Sequence, residues 1–191
     1  MTVLGYAILA AGLISLIYGI LIYNRLVRLK HNVRMAWGNI DVLLKQRHDE
    51  LPKLVAACKQ YMKYEQATLE RVITARQQVA QARESSDVTA LGLAETTLRS
   101  SLGQLFALVE DYPELKADES FRQLRGRITG LENAIADRRE FYNESVNLNN
   151  IGIEEFPSNL VASHFRFGPF RLLHFADVEK SDVDVAALFQ T

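Results

Sequence analysis

The sequence predicts an all-α protein: an N-terminal transmembrane helix, then an up-and-down four-helix bundle, then a short C-terminal helix and an irregular tail. Three observations lead there. Residues Val3 to Tyr23 carry no charge at all. From Tyr23 to Arg83 apolar residues recur at steps of three and four, through Leu26, Leu29, Val33, Trp37, Ile40 and Leu44 and on through Leu51, Leu54, Cys58, Leu69, Val72 and Val79. That is the spacing of amphipathic helix, with no strand-type alternation to compete. Beyond Arg83, two more stretches keep the period between short polar turns, as helices of a bundle do. The 191 residues divide into an anchor (1–23), a helical bundle (24–150) and a tail (151–191) packed on the bundle or at the membrane surface.

At about 1.5 Å per residue the charge-free run spans about 30 Å, the hydrocarbon thickness of a bilayer. It is apolar on every face, unlike a buried core helix. Its length and the lack of a basic residue ahead of it argue against a cleaved signal peptide. Arg25, Arg28, Lys30 and Arg34 follow it closely. Positive flanks stay in the cytoplasm, so the expected topology is single-pass in the cytoplasmic (inner) membrane, N-terminus out, with the C-terminal domain cytoplasmic. The same four residues suit contact with lipid headgroups. Ala7, Ala11, Ser15 and Gly19 lie four apart on one face, a small-residue stripe that lets membrane helices approach closely.

The helix continues from Asn24 to Gln46, and Pro52 then raises the question of a break. Inside a helix proline costs about 3 kcal/mol. With Asp49 as N-cap it falls in a first turn, where its missing N–H is not needed. A break is therefore expected, with a second helix from about Leu51 to Arg83 and the first segment folded back to give Trp37, Ile40 and Leu44 apolar neighbours. Glu84 to Asp87 form a turn with Ser86 or Asp87 as the next cap. The third helix runs from about Val88 to Asp111 along Leu91, Ala94, Leu98, Leu102, Leu105 and Val109, and Pro113 ends it. The fourth runs from near Asp118 to about Asn149 along Phe121, Leu124, Ile128, Leu131, Ile135 and Val146, with Gly126 and Gly130 placed for close helix packing. Pro157 and Ser158 open a short helix to about Arg166, an acidic end follows from Asp177 to Asp184, and the final VDVAALF is a short helix or disordered.

The stretch AWGNIDVLLKQRHDELPKLV resembles the signature of the LemA family of bacterial membrane proteins, at Ala36, Trp37, Ile40, Asp41, Val42, Lys45, Arg47, Asp49, Pro52, Leu54 and Val55. TLERVITAR (from Thr68), YPELKA (from Tyr112), REFYN (from Arg139) and FPSNLVA (from Phe156) extend the resemblance over nearly the whole chain. It departs at Asn147 to Asn150 and after Gly168. The resemblance implies membrane anchoring and a four-helix fold. It implies no settled biochemical activity, although one branch of the family is associated with the formation of membrane organelles. Trp37, Asp41, Arg47, Asp49 and Pro52 stand as the signature's structural or interaction residues.

The formal net charge is −1, which gives no electrostatic footprint for nucleic acid. The single cysteine, Cys58, sits in an apolar stripe and reads as a buried, inert thiol. The four histidines show no metal-ligand spacing. A catalytic pairing of His48 with Asp49 fails because adjacent helical residues point about 100° apart. Asp49 instead reads as a helix cap with Arg47 as its ion partner. Arg138, Arg139, Tyr142 and Asn143 read as a basic last turn or as a polar pocket for an anion, and Glu65 as part of a solvated face, with Lys59 or Arg71 as alternative partners. The aromatic and basic stretch from His164 to Phe175 covers the end of the bundle, lies on the membrane surface, docks a protein or, least favoured, stacks bases. No catalytic, cofactor or metal residue is assigned. The expected protein is a non-enzymatic, self-associating scaffold in membrane organisation, its partners being membrane lipid, further copies of itself and other membrane proteins. The alternative is an adaptor or regulator of another membrane protein, such as a protease or an envelope-stress component.

Overall fold

The computed structural model describes residues 3–175, and over them the chain is helical without a strand. The six helices are α1 (Val3–Tyr61), α2 (Gln66–Glu84), α3 (Val88–Val109), α4 (Pro113–Ala117), α5 (Glu119–Glu154) and α6 (Ser158–His164). The acidic end from Asp177 and the final VDVAALF lie outside the described residues.

The expected break at Pro52 does not occur. Helix α1 runs unbroken through it, and Asp49 is an exposed interior residue rather than a cap. Proline in a helix interior leaves the carbonyl four residues back without its N–H. That carbonyl belongs to His48, and Arg76 of α2 donates to it from Nε at 2.8 Å. The guanidinium replaces the lost backbone bond, so the helix continues. The chain turns instead at Met62–Glu65, where Met62 N–H still donates to Cys58 O and Glu65 N–H to Met62 O. Tyr61 and Tyr112 hydroxyls, bonded to Asp118 and Glu65, fasten the turn. Glu65, read as part of a solvated face with Lys59 or Arg71 as alternative partners, thus meets Tyr112.

The other boundaries follow local chemistry. Asp87 caps α3 by accepting from Thr89 and Ala90 N–H at 2.9 and 3.1 Å. Ser86 ahead of it takes a left-handed φ of 54°, closing α2 with a bond from Asp87 N–H to Ala82 O. Pro113 does not merely end α3 but opens the short α4. Asp118 caps α5 through Phe121 N–H at 2.8 Å. Helix α5 runs to Glu154, beyond the expected end, so Arg138 and Arg139 lie in its interior and not in a last turn. Gly126 and Gly130 face open space, against the expectation of close packing there. The tight glycines are Gly92 and Gly152.

The described residues form two compact units. The first takes those of Met1–Gln46 and Thr129–Leu172; its core uses Ile22, Leu26, Val33, Ala36 and Ile40 of α1 with Ile135, Tyr142 and Val146 of α5. The second takes those of Arg47–Ile128 and Leu173–Thr191; Leu51, Leu54, Cys58, Val72, Leu91, Leu98, Leu105 and Phe121 are among its buried residues. Its helical segments, the end of α1, then α2, α3, the short α4 and the start of α5, follow one another through short turns, as bundle helices do.

Candidate functional site

The signature residues do not converge on one site. Trp37 and Asp41 belong to the first unit, Arg47, Asp49 and Pro52 to the second. In the first, Ala36 takes the core position and Trp37 sits half-buried beside it, its ring 5.5 Å from that of Tyr142. Burial pushes the Tyr142 phenol above its ordinary pKa, and its hydroxyl donates to Arg171 O at 2.9 Å. The chain after α6 returns along α5: Asn149 amide donates to Gly168 O, while Asn150 bonds Phe170 through both its N–H and its C=O. The departure from the family pattern at Asn147–Asn150 thus holds two residues that grip the tail. Of the group Arg138, Arg139, Tyr142 and Asn143, read as a basic last turn or a polar pocket, Tyr142 anchors that tail.

In the second unit Arg47 does not pair with Asp49. It donates to Glu95 of α3, and both side chains are buried, at 1% and 3% exposure. Glu50 is also largely buried, bridging Arg127 of α5 and Lys53 at 3.1 Å. His48 meets Arg76 through Nε2 at 2.6 Å, in addition to the carbonyl bond. Desolvation first, and the Arg76 charge second, hold the His48 pKa below its usual 6.5. The imidazole is therefore neutral, accepting from the guanidinium. Cys58 is fully buried, its pKa pushed up to about 12, which makes it inert as expected. Sequence reasoning missed Glu95, Glu50, Arg127 and Arg76. The signal was present for one of these contacts: Arg47 and Glu95 both occupy core positions in otherwise apolar stripes, which a charge fills only when paired. These contacts carry no nucleophile and, among the described residues, no cluster of metal ligands. They do structural work.

The end of the apolar span is the more distinctive place. Helix α1 is long and apolar enough to cross a membrane, and its first turns are exposed on every side. Burial begins at Ile22 and Leu26, where Ala162 of α6 closes a small core with Leu29, Ile153, Val161 and Phe167. Gly152 lets α5 approach α1, since a Cβ there would come within 2.6 Å of Leu29 Cδ1. Tyr23 meets Phe165 and Phe167 edge-on at 4.8 and 5.7 Å, and Lys30 lies over the Phe167 ring at 5.7 Å. Arg25 pairs with Glu155 at 3.2 Å in the open, while Arg28 and Arg34 are exposed. Of the small-residue stripe, Ala7, Ala11 and Ser15 are exposed and Gly19 is half-buried. Ser15 and Gly19 line an apolar groove of about 380 Å³ with Val161 and Phe165.

The chain is similar to magnetosome protein MamQ 2 of Paramagnetospirillum magneticum, 32% identical over 93 residues, which is 48% of this chain and 34% of MamQ 2. The chain thus spans about a third of the length of that relative. It is 20% identical to magnetosome protein MamQ of Magnetospirillum gryphiswaldense over 208 residues, covering 96% of this chain and 76% of the relative. It is 26% identical to protein LemA of Metamycoplasma hominis over 165 residues, covering 86% and 74%. The sequence model of the LemA family matches residues 36–186, from the signature tryptophan's neighbour through the tail. With that match over most of its length, the chain belongs to the LemA family.

Proposed function

We propose that this is a non-enzymatic, single-pass protein of the cytoplasmic membrane, N-terminus out, whose helical domain is a self-associating scaffold in membrane organisation. One observation carries the reading: α1 is exposed on all sides through its apolar turns and passes without a break into the covered helix that begins at Ile22. A helix so exposed and so apolar needs lipid around it. The basic residues Arg25, Arg28, Lys30 and Arg34 support a cytoplasmic location for the remainder.

Two surfaces support association. Ala7 and Ala11 keep the upper part of the small-residue stripe open on the span. On the same helix Met35 and Val42, seven apart and 63% and 56% exposed, leave an apolar face uncovered. The similarity to two magnetosome proteins favours membrane organisation over service to a single partner. The test is to reconstitute the full chain in native lipid and count copies per particle over a range of protein-to-lipid ratios. Multimers are expected, weakened by Ala11→Ile and by Met35→Ser with Val42→Ser. Single copies at every ratio would remove self-association and leave the adaptor reading.

A further inference from the structure

The region around α6 reads as a second membrane contact. From Phe156 to Phe165 the chain has no Asp, Glu, Lys or Arg. Phe156, Leu160 and Phe165 are 80%, 62% and 55% exposed, although Ser158 and Ala162 of the same short helix are buried. Three large apolar side chains within ten residues, left open beside a membrane span, need a solvent other than water. Their position identifies it. Val161 and Phe165 wall the groove whose floor is Ser15, Leu16, Gly19 and Ile20 of the charge-free run. Ser15 lies about 12 Å along α1 from Tyr23, so residues that wall this groove sit at the depth of the acyl chains when the span is in a bilayer.

The groups that follow along α1 keep the order of a bilayer leaflet. The apolar groove comes first, then the ring cluster of Tyr23, Phe165 and Phe167, then Lys30 over Phe167 and Arg25 beside Glu155. Hydrocarbon, aromatic belt and headgroup charge succeed one another in that sequence. At the end of α6, Arg166 takes a left-handed φ of 56° and Phe167 N–H bonds back to Ala162 O. This closing turn brings Phe167 back to Tyr23 and leaves the Arg166 side chain exposed.

We infer that Phe156–Phe167 is an interfacial lipid-binding element: α6 lies in the headgroup–acyl boundary beside the span, and lipid acyl chain fills the groove against Gly19. Membrane-surface helices bury their apolar face about 5–10 Å deep, which this placement matches. The inference rests on the span reading proposed above but not on self-association. It also assigns the lower end of the small-residue stripe: Ser15 and Gly19 face lipid held by α6, leaving Ala7 and Ala11 for contact between copies.

The test uses the full chain in bilayers containing lipids brominated high on their acyl chains. Leu160→Trp and Phe156→Trp are made singly at exposed sites, with helicity checked, and the emission of native Trp37 is subtracted using the wild type. Ile14→Trp, in lipids brominated deep in the chains, reports the span itself. Strong quenching of the Leu160→Trp and Phe156→Trp signals is the expected result. Red-shifted, unquenched emission would place these residues in water and overturn the inference. Blue-shifted, unquenched emission would mean that protein, another copy included, covers this face, and would overturn it equally. If Ile14→Trp is quenched while the α6 probes are not, the lipid-binding element fails and the anchor stands. If none is quenched, the anchor reading falls with it.

Discussion

The two units of this chain hold charge differently: the second shuts one ion pair, Arg47–Glu95, fully away from water, while the Arg25–Glu155 pair of the first lies in the open. The unit containing the span keeps its ion pair in the open, with Arg25 and Glu155 side chains 55% and 44% exposed, and leaves phenylalanines and leucines uncovered. The other buries both partners of Arg47–Glu95, sinks Glu50 beside an Arg127 that stays 59% exposed, and keeps Arg122–Glu119 and Lys116–Glu110 at its surface. A surface pair in water contributes about 0–1 kcal/mol, whereas stripping one partner from a buried pair costs several. The difference is one of depth: a pair shut away from water must be matched within the helices, whereas one at the rim is matched by solvent as well.

The largest expected effect breaks this contrast in the second unit. Glu95→Ala leaves Arg47 charged and buried, and should cost about 3–5 kcal/mol by denaturant unfolding in detergent. Arg47→Met combined with Glu95→Leu should recover most of that loss, since a packed apolar pair often replaces a buried ion pair at little cost. The corresponding removal in the first unit, Glu155→Ala, should shift stability by less than about 1 kcal/mol. Equal costs at the two pairs would erase the distinction.

The next effect concerns the unbroken helix. Arg76→Ala should destabilise by about 2 kcal/mol, the range of a hydrogen bond from a charged donor. The same change made in a Pro52→Ala background should cost less, because residue 52 then donates its own N–H to His48 O. A double-mutant cycle measures that coupling. Additive costs would mean that Arg76 does not replace the missing helix bond.

Much of the fold was legible in the sequence, and the misses share a cause. The span, the period of the apolar stripes, the Asp87 cap and the inert Cys58 all follow from local rules. Pro52 misled because its cost was reckoned within one helix, while the compensating donor, Arg76, lies on another. The turn at Met62–Glu65 carries no glycine or proline and is set by tyrosine contacts distant in sequence. The partner of Arg47 could be sought among charges on apolar stripes, where Glu95 stands, but nearest-neighbour reasoning chose Asp49. The exposed cluster at Phe156, Leu160 and Phe165 had a compositional signal, and only the contact with Tyr23 shows where it lies along the span.

A smaller effect sharpens the first unit. Tyr142→Phe removes the hydroxyl that holds Arg171 O and should cost about 1 kcal/mol while raising hydrogen exchange after Gly168. Smallest is the pH response of the second unit. The folded pKa of His48 lies below its unfolded value of 6.5. Above 6.5 the imidazole is neutral in both states and its contribution is fully present. As pH falls from 6.5 through the folded pKa, only the unfolded chain takes up the proton, and that stability is lost. His48→Gln should flatten the slope of stability against pH in that window. An unchanged slope would remove His48 as its source.

The central claim, an anchored chain whose helical domain stays on the basic side of the membrane, is tested most directly by thiol accessibility. Tyr64 is 96% exposed, and the native Cys58 is fully buried with its pKa pushed up to about 12, so Tyr64→Cys supplies one reactive thiol over a silent background. A membrane-impermeant maleimide should leave it unlabelled in intact spheroplasts and label it in inverted membrane vesicles. Labelling in intact spheroplasts would place the domain outside the cytoplasm and contradict the claim.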